Sequence, residues 1–152
     1  MNIYLKKIDS TNWEDCINLH VGPTQTGFIL PNVNSLAEWS VKPDAHAYGI
    51  FNDDKIVGFA MFQKDDEGIY DIHRYMIDFA YQGKGIGLKA LEKLVELIIS
   101  LSEDIDKIKI MFLVENLTAE KLYKKAGFID SNKTLYNEKW RFTEKIFYYY
   151  RK

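Results

Sequence analysis

Apolar residues recur every three or four positions between Gly85 and Leu101, and this is the clearest periodic pattern in the chain. The side chains that form it are Leu88, Leu91, Leu94, Val95, Ile98 and Leu101. Residues at this spacing fall on one face of an α-helix. The pattern therefore predicts a long helix over 85–101 with one buried face.

Runs rich in β-forming residues lie on both sides of this helix. Strands are predicted at residues 2–8, His46–Phe51, Lys55–Gln63, Gly68–Asp78, Lys107–Val114, Phe128–Asn132 and Arg141–Tyr150. Polar turns at 52–54 and 64–67 join the strands before the helix into an antiparallel meander. Further helices are predicted at Asn12–Leu19, Ser35–Ser40 and Asn116–Ala126, the last of them ended by Gly127.

The resulting order of elements is β-α-α-β-β-β-α-β-α-β-β. It is typical of an α/β (α+β) fold with a mixed central sheet, here of about seven strands and about four helices. No repeat or linker divides the 152 residues. We therefore expect a single domain over 1–152.

Composition narrows the class of protein. Lysine and arginine number 20 and aspartate and glutamate 22, giving a net charge of −2. Without a long basic run, no nucleic-acid partner is expected. The single cysteine, Cys16, cannot form an intramolecular disulfide, and no cysteine or histidine spacing predicts a metal site. A lone cysteine fits a reducing compartment, so we expect a cytoplasmic protein. No segment approaches the roughly 20 apolar residues of a membrane span, so no membrane partner is expected.

A glycine-rich loop leads from the fourth predicted strand into the long helix. Its residues are Gln82, Gly83, Lys84, Gly85, Ile86 and Gly87. Glycine permits a tight turn and close approach to a ligand, and the first amides of a helix are free donors at the positive end of its dipole. The loop is therefore suited to a pyrophosphate. An ordinary glycine-rich turn has the same composition.

Two nucleotide-binding motifs compete for this loop. A Walker loop is excluded because Gly85, and not serine or threonine, follows Lys84. The looser dinucleotide fingerprint matches at Gly85, Gly87 and Ala90, with acidic residues about 20 positions further on at 103–106. That fingerprint normally lies in a parallel βαβ unit, whereas here three hairpin-type strands precede the loop.

The loop and a second segment resemble the GNAT acetyltransferase superfamily. The segment Gln82-x-x-Gly85-x-Gly87 is similar to the Gln/Arg-x-x-Gly-x-Gly/Ala motif of that family. A second conserved region of the family is similar to Asn116-x-x-Ala119-x-x-Leu122-Tyr123-x-x-Ala126-Gly127-Phe128. The two motifs cover about residues 71–128, and the order of elements extends the resemblance over the whole chain. It implies a GNAT fold and an N-acetyltransferase that uses acetyl-CoA.

The resemblance also implies which residues hold the cofactor. Backbone groups of Met76 and Ile77 would pair with the pantetheine arm, in a gap where their strand and the strand ending near Val114 splay apart. The pyrophosphate would lie on Gln82, Gly83, Lys84, Gly85, Ile86, Gly87 and Leu88. Asn116 would contact the cofactor or act only as a helix cap.

Three residues are candidates for catalysis. Tyr123 matches the general acid of the family, since a phenol can protonate a departing thiolate; the alternative is that it packs on the inner face of its helix with Leu122. Asp71 stands six residues before Ile77, where some histone-acetylating members of the superfamily carry a glutamate base. His73 falls on the same strand face as Asp71 by the two-residue period. Either could take the proton of the amine directly or through water, and both could be ordinary surface residues. The backbone amide of Ile77 would bind the developing oxyanion.

The N-terminal region resembles that of bacterial spermine and spermidine acetyltransferases. The matching residues are Leu19-His20-Val21, Gln25, Phe28-Ile29 and Ser35 to Glu38. The resemblance implies a small polyamine as acceptor, bordered by Gln25, Phe28, Glu38 and Asp71. Two alternatives remain open. One is another amine, such as an aminoglycoside, an amino acid or a protein N-terminus. The other is a non-catalytic acyl-CoA-binding module. A homodimer is compatible with each of them.

Overall fold

The computed structural model describes residues 1–152, and its elements follow the predicted order. The elements are β1 (Ile3–Lys7), α1 (Trp13–Ile17), α2 (Asn32–Val41), β2 (His46–Asn52), β3 (Lys55–Lys64), β4 (Tyr70–Ile77), a single 3₁₀ turn (Phe79–Tyr81), α3 (Ile86–Ile99), β5 (Lys107–Leu113), α4 (Leu117–Lys125), β6 (Ile129–Asn137) and β7 (Phe142–Tyr150). The strands form one mixed sheet in the order β1-β2-β3-β4-β5-β7-β6. The predicted fold class is confirmed.

Several element boundaries differ from the prediction. Helix α2 begins before Ser35, at Asn32, whose buried side-chain amide donates to the carbonyl of Cys16 over 2.9 Å. Strand β6 continues past Asn132 because a bulge between its pairs with β7 interrupts the alternation on which the prediction relied. The 3₁₀ turn after β4 was not predicted.

Helices pack on both faces of the sheet and bury cores of unequal size. Helices α3 and α4 cover one face, and the core beneath them contains 22 buried residues, including Leu91, Leu94 and Ile98 of the predicted apolar stripe. Helices α1 and α2 pack on β3 and β2 on the other face, over a core of 8 buried residues. The second face is therefore more open where it passes over β5 and β7. No helix is long and apolar enough to cross a bilayer.

Strands β4 and β5 are parallel neighbours along only part of their length. They pair at three positions, from Tyr70 with Ile108 to Ile72 with Ile110. Beyond Ile72 the two strands have no mutual pairs, although β4 continues to Ile77 and β5 to Leu113. This V-shaped separation, which we call the β4–β5 opening, agrees with the splay that the family resemblance implied.

Candidate active site

The glycine-rich loop places free amides at the start of α3. Gly83 and Gly85 have φ angles of 75° and 81°, and a Cβ built on either one meets no atom within 4 Å. Their left-handed backbone explains why glycine is needed, and the space beside them is open. No side chain caps α3, and the N–H groups of Ile86, Gly87 and Leu88 have no partner in the chain. These donors at the positive end of a helix fit a diphosphate.

Two side chains anchor this loop to β4. The Tyr75 hydroxyl donates to the carbonyl of Gly87 over 2.5 Å, and Gln82 Nε2 donates to the carbonyl of Ile77 over 2.9 Å. Both bonds join the first turn of α3, or the loop before it, to the strand that borders the opening. The loop is therefore held at a fixed position relative to the opening.

Gln25 lies against the cofactor loop. Its Oε1 accepts from Gln82 Nε2 and from the N–H of Gly22, each over 2.9 Å. Both hydrogen bonds use that carbonyl oxygen. Only the amide nitrogen of Gln25 is therefore left, and it can only donate a hydrogen bond. Phe28, in the same segment, is 37% exposed.

The free backbone groups of β4 differ from those that we expected. The N–H of Asp78 donates to the carbonyl of Val57 in β3. Because backbone groups in an antiparallel ladder alternate in direction, those of Met76 also point to β3, whereas those of Tyr75 and Ile77 point into the opening. The expectation for the Met76 backbone is corrected in favour of Tyr75. The Ile77 carbonyl is used by Gln82, so its N–H is the free donor there.

Tyr123 lies on the α3–α4 face beside the end of β5. Its ring packs edge-on against Phe112 with centroids 5.2 Å apart. Burial, and after it the nearby Tyr123, raise the pKa of Tyr75. Burial raises the pKa of Tyr123, so the phenol remains protonated at neutral and moderately basic pH. Its hydroxyl makes no hydrogen bond with another side chain or the backbone. Tyr123 is thus a protonated donor without a partner inside the chain.

Asn116 caps helix α4. Its Oδ1 accepts from the N–H of Ala119 over 3.2 Å, which is the geometry of an N-cap. The prediction that Asn116 acts as a helix cap is therefore confirmed. The amide nitrogen of Asn116 remains free, so cofactor contact stays a prediction.

Asp71 and His73 lie on the α2 side of β4 and are the two residues with buried, unpaired polar atoms. Asp71 Oδ1 and His73 Nε2 have no hydrogen-bond partner. Burial raises the pKa of Asp71 to about 6, with Lys109 opposing the rise. Burial and the nearby Arg74 charge lower the pKa of His73 to about 4. At neutral pH the site therefore holds an ionised carboxylate and an uncharged imidazole.

His73 also forms a bulge in β4. Ile72 pairs with Phe62 and Arg74 with Met61, which leaves His73 as the extra residue. The bulge lets His73 and Arg74 both approach helix α2: His73 Nε2 is 3.7 Å, and Arg74 Nη2 3.5 Å, from Glu38 Oε2. Beyond His73, the side chains of β4 therefore alternate one position out of step with those before it.

Glu38 is already paired with basic residues. Besides Arg74 it contacts Lys42, whose Nζ lies 3.0 Å from Oε1. Arg74 is in turn held by Ser35 Oγ over 3.1 Å. Because two cations already neutralise this carboxylate, it attracts a cationic substrate only weakly. Its predicted role at the acceptor site is therefore weakened by these contacts.

Sequence analysis missed one carboxylate of this region, Glu144 of β7. It is half-buried, makes no ion pair, and its charge raises the pKa of Asp71. From the sequence, alternation along β7 shows only which residues share a face with Glu144. The pairing of β7 with β5 shows that this face also carries Asp71.

The opening, the free loop amides and the protonated Tyr123 define a coenzyme A-dependent acyltransferase. The family model for the acetyltransferase (GNAT) family matches residues 13–128. The chain belongs to this family, and it is an acetyltransferase that uses acetyl-CoA.

Relatives and solved structures agree with this assignment. The chain is 28% identical over 138 residues to the spermine/spermidine N(1)-acetyltransferase of Bacillus subtilis strain 168, which covers 84% of this chain and 88% of that protein. A spermidine N-acetyltransferase from Vibrio cholerae, solved with CoA and spermine, superposes with a TM-score of 0.75 at 15% identity, over 97% of this chain and 95% of that one. The enzyme AAC(6')-Ib, solved with ribostamycin and CoA, superposes with a TM-score of 0.81 at 17% identity, over 99% and 94%.

Proposed function

We propose that this acetyltransferase acetylates a primary amine of a small polyamine, such as spermidine or spermine, by direct attack in a ternary complex. The observation that carries the proposal is the Asp71 carboxylate. It lies next to Ile72, the last β4 residue paired with β5, and its Oδ1 is buried without a partner. A buried carboxylate lacking a partner is costly, and an ammonium ion is a ligand that would satisfy it.

Asp71 is the better candidate for the base. Bound acetyl-CoA supplies the thioester that the amine attacks. An alkylammonium ion must first lose a proton, and Asp71 Oδ1 would accept it directly or through water. Its pKa of about 6 leaves it ionised at neutral pH yet more basic than an ordinary carboxylate, whereas the pKa of His73, about 4, makes the imidazole a weak proton acceptor. His73 would instead offer Nε2 as a neutral hydrogen-bond acceptor.

The remaining requirements of acetyl transfer fall to Ile77 and Tyr123. The N–H of Ile77 points into the opening and would donate to the acetyl oxygen as negative charge develops there. The Tyr123 hydroxyl would donate its proton to the departing sulfur. Burial raises the pKa of the phenol, but a thiolate formed in the same buried environment is also made more basic. The proton transfer therefore remains feasible.

The named relatives support a polyamine acceptor. Two Bacillus subtilis proteins, each 28% identical to this chain, carry the names spermine/spermidine N(1)-acetyltransferase and probable spermine N(1)-acetyltransferase. Their aligned regions cover 84% of this chain. Phe28, partly exposed in the segment that would border the acceptor, would cover the methylene groups of a polyamine. Gln25 would border the polyamine without accepting from its ammonium groups, because its carbonyl oxygen is already used and its amide nitrogen only donates.

Asp71→Asn is expected to lower kcat/KM for spermidine by on the order of 10–100-fold at pH 7.5, because the base and one negative charge are lost together. The pH profile gives the sharper test. In the wild type, kcat/KM should fall as the pH decreases through about 6, where Asp71 takes up a proton and loses its charge. This acidic limb should be absent in Asp71→Asn. Steady-state thiol release between pH 5 and 9 measures both.

The same variant should be more stable than the wild type. The pKa of Asp71 is about 6 in the folded protein and 3.8 in an ordinary carboxyl group. The folded state thus holds the proton more tightly than the unfolded chain, and the penalty for ionisation is fully present above pH 6. Asp71→Asn should raise the free energy of unfolding at pH 7.5 by about 1–3 kcal/mol.

The exposed Asp66→Asn serves as the matched control and should change neither quantity. Wild-type turnover and an unchanged acidic limb in Asp71→Asn would remove Asp71 from the mechanism.

A further inference from the structure

The face of the sheet opposite α3 carries Glu144 beside the mouth of the opening. Glu144 pairs with Leu113, the last residue of β5. Its neighbour Lys145 pairs with Phe112 and bonds Glu120 of α4 over 2.6 Å, so Lys145 is on the α3–α4 face. Side chains alternate along a strand, which puts Glu144 on the opposite face.

Asp71 lies on that same face. It pairs with Lys109 of β5. The residues on either side of Lys109, Ile108 and Ile110, are buried under α3, so Lys109 and Asp71 point to the other face. Lys109 and Leu113 are four residues apart and so lie on one face, about 13 Å apart at 3.3 Å per residue. Asp71 and Glu144 therefore lie on the same face at separate positions along the opening, and the charge of Glu144 acts on Asp71.

The charges on this face do not cancel. Lys109 Nζ lies 2.6 Å from Asp65 Oδ2, and Arg74 lies 3.5 Å from Glu38. Lys109 thus contacts Asp65, and Arg74 shares Glu38 with Lys42, while His73 is uncharged at neutral pH. Asp71 and Glu144 are left with no basic group within ion-pair distance. Burial raises the pKa of Glu144, and the charge of Arg74 opposes the rise from beyond ion-pair distance.

We infer that Glu144 binds an ammonium group of the acceptor other than the one that reacts, and so selects amines that carry a second positive charge. This inference rests on the proposed function and assigns a specificity residue to it. Two uncompensated carboxylates at separate positions match an acceptor with at least two ammonium groups. A monoamine would leave Glu144 unpaired and would gain nothing from it.

The test compares spermidine with the monoamine n-butylamine. For each enzyme the ratio of kcat/KM for spermidine to that for n-butylamine is measured by thiol release at pH 7.5. In Glu144→Gln this ratio should fall by on the order of 10-fold or more, since one charge-assisted hydrogen bond is lost for spermidine alone. Glu144→Asp should recover part of the ratio. The exposed Glu138→Gln, on the β6–β7 turn, carries the same charge change and should keep the wild-type ratio.

The outcomes separate this inference from the proposed function. A wild type that prefers spermidine, combined with a Glu144→Gln variant that keeps the preference, overturns the role of Glu144 and leaves the acceptor class intact. A wild type that does not acetylate spermidine overturns the proposed acceptor itself. Calorimetric titration with CoA confirms that Glu144→Gln is folded, because its cofactor affinity should equal that of the wild type.

Discussion

Gly85→Glu is expected to abolish measurable binding of coenzyme A, with Kd increased by at least about 100-fold. Gly85 has a φ of 81° and immediately precedes the first turn of α3, where the free amides of Ile86, Gly87 and Leu88 would hold the diphosphate. A carboxylate there would repel the phosphates and compete for the same donors. A side chain in this left-handed conformation would also add roughly 1 kcal/mol of backbone strain. Isothermal titration calorimetry with CoA measures the loss.

Gly68→Glu is the matched control. Gly68 has a φ of 80°, and a Cβ there also meets no atom within 4 Å, but it lies in the turn between β3 and β4. The variant introduces the same charge and the same strain away from the loop, so CoA affinity should remain at the wild-type level. Undiminished affinity in Gly85→Glu would exclude the diphosphate from the start of α3.

Tyr123→Phe is expected to lower kcat by on the order of 100–1,000-fold, while Kd for CoA stays within about twofold. The substitution removes only the hydroxyl, which would protonate the departing sulfur. Since this hydroxyl has no partner inside the chain, its removal should leave folding unaffected, and the ring would still pack on Phe112. Single-turnover thiol release and a CoA titration separate the chemical step from binding.

The exposed Tyr136 of β6 provides the control for this change. Tyr136→Phe should have wild-type kcat. If Tyr123→Phe also had wild-type kcat, Tyr123 would be a packing residue, which is the alternative that its sequence position left open.

The proposed roles distribute the chemistry over both faces of the sheet. Tyr123 approaches the opening from the α3–α4 face, whereas Asp71 and Glu144 lie on the face that carries α2. The base and the acid would therefore act on opposite sides of the reacting thioester. The amine would attack from one face as the sulfur leaves toward the other, and the two proton transfers would not compete for one group.

The geometry of the candidate cofactor loop could be predicted from sequence because its determinants are local. Gly83, Gly85 and the apolar stripe of α3 are close in the chain, and glycine spacing before a helix has a direct structural meaning. Tyr123 and Asn116, whose roles toward the cofactor stay predictions, likewise lie within one short segment. The observed φ angles at both glycines agree with that prediction.

The acceptor half could not be predicted in the same way because it depends on pairing between distant strands. The bulge at His73 cannot be found by counting alternate residues, and the contacts that neutralise Glu38 join α2 to β4. Glu144 lies on the same face as Asp71, next to β5, only because β7 inserts between β5 and β6 in the sheet. The direction of the Met76 backbone was missed because it depends on which residue of β4 first bonds to β3.

The most direct test of the account is incubation of the purified wild-type enzyme with acetyl-CoA and spermidine, followed by mass spectrometry of the amine and measurement of the released thiol. We predict a product heavier than spermidine by one acetyl group, in an amount equal to the thiol released, with n-butylamine a much poorer acceptor. Thiol release no faster with spermidine than without it, while CoA still binds, would contradict the proposed reaction.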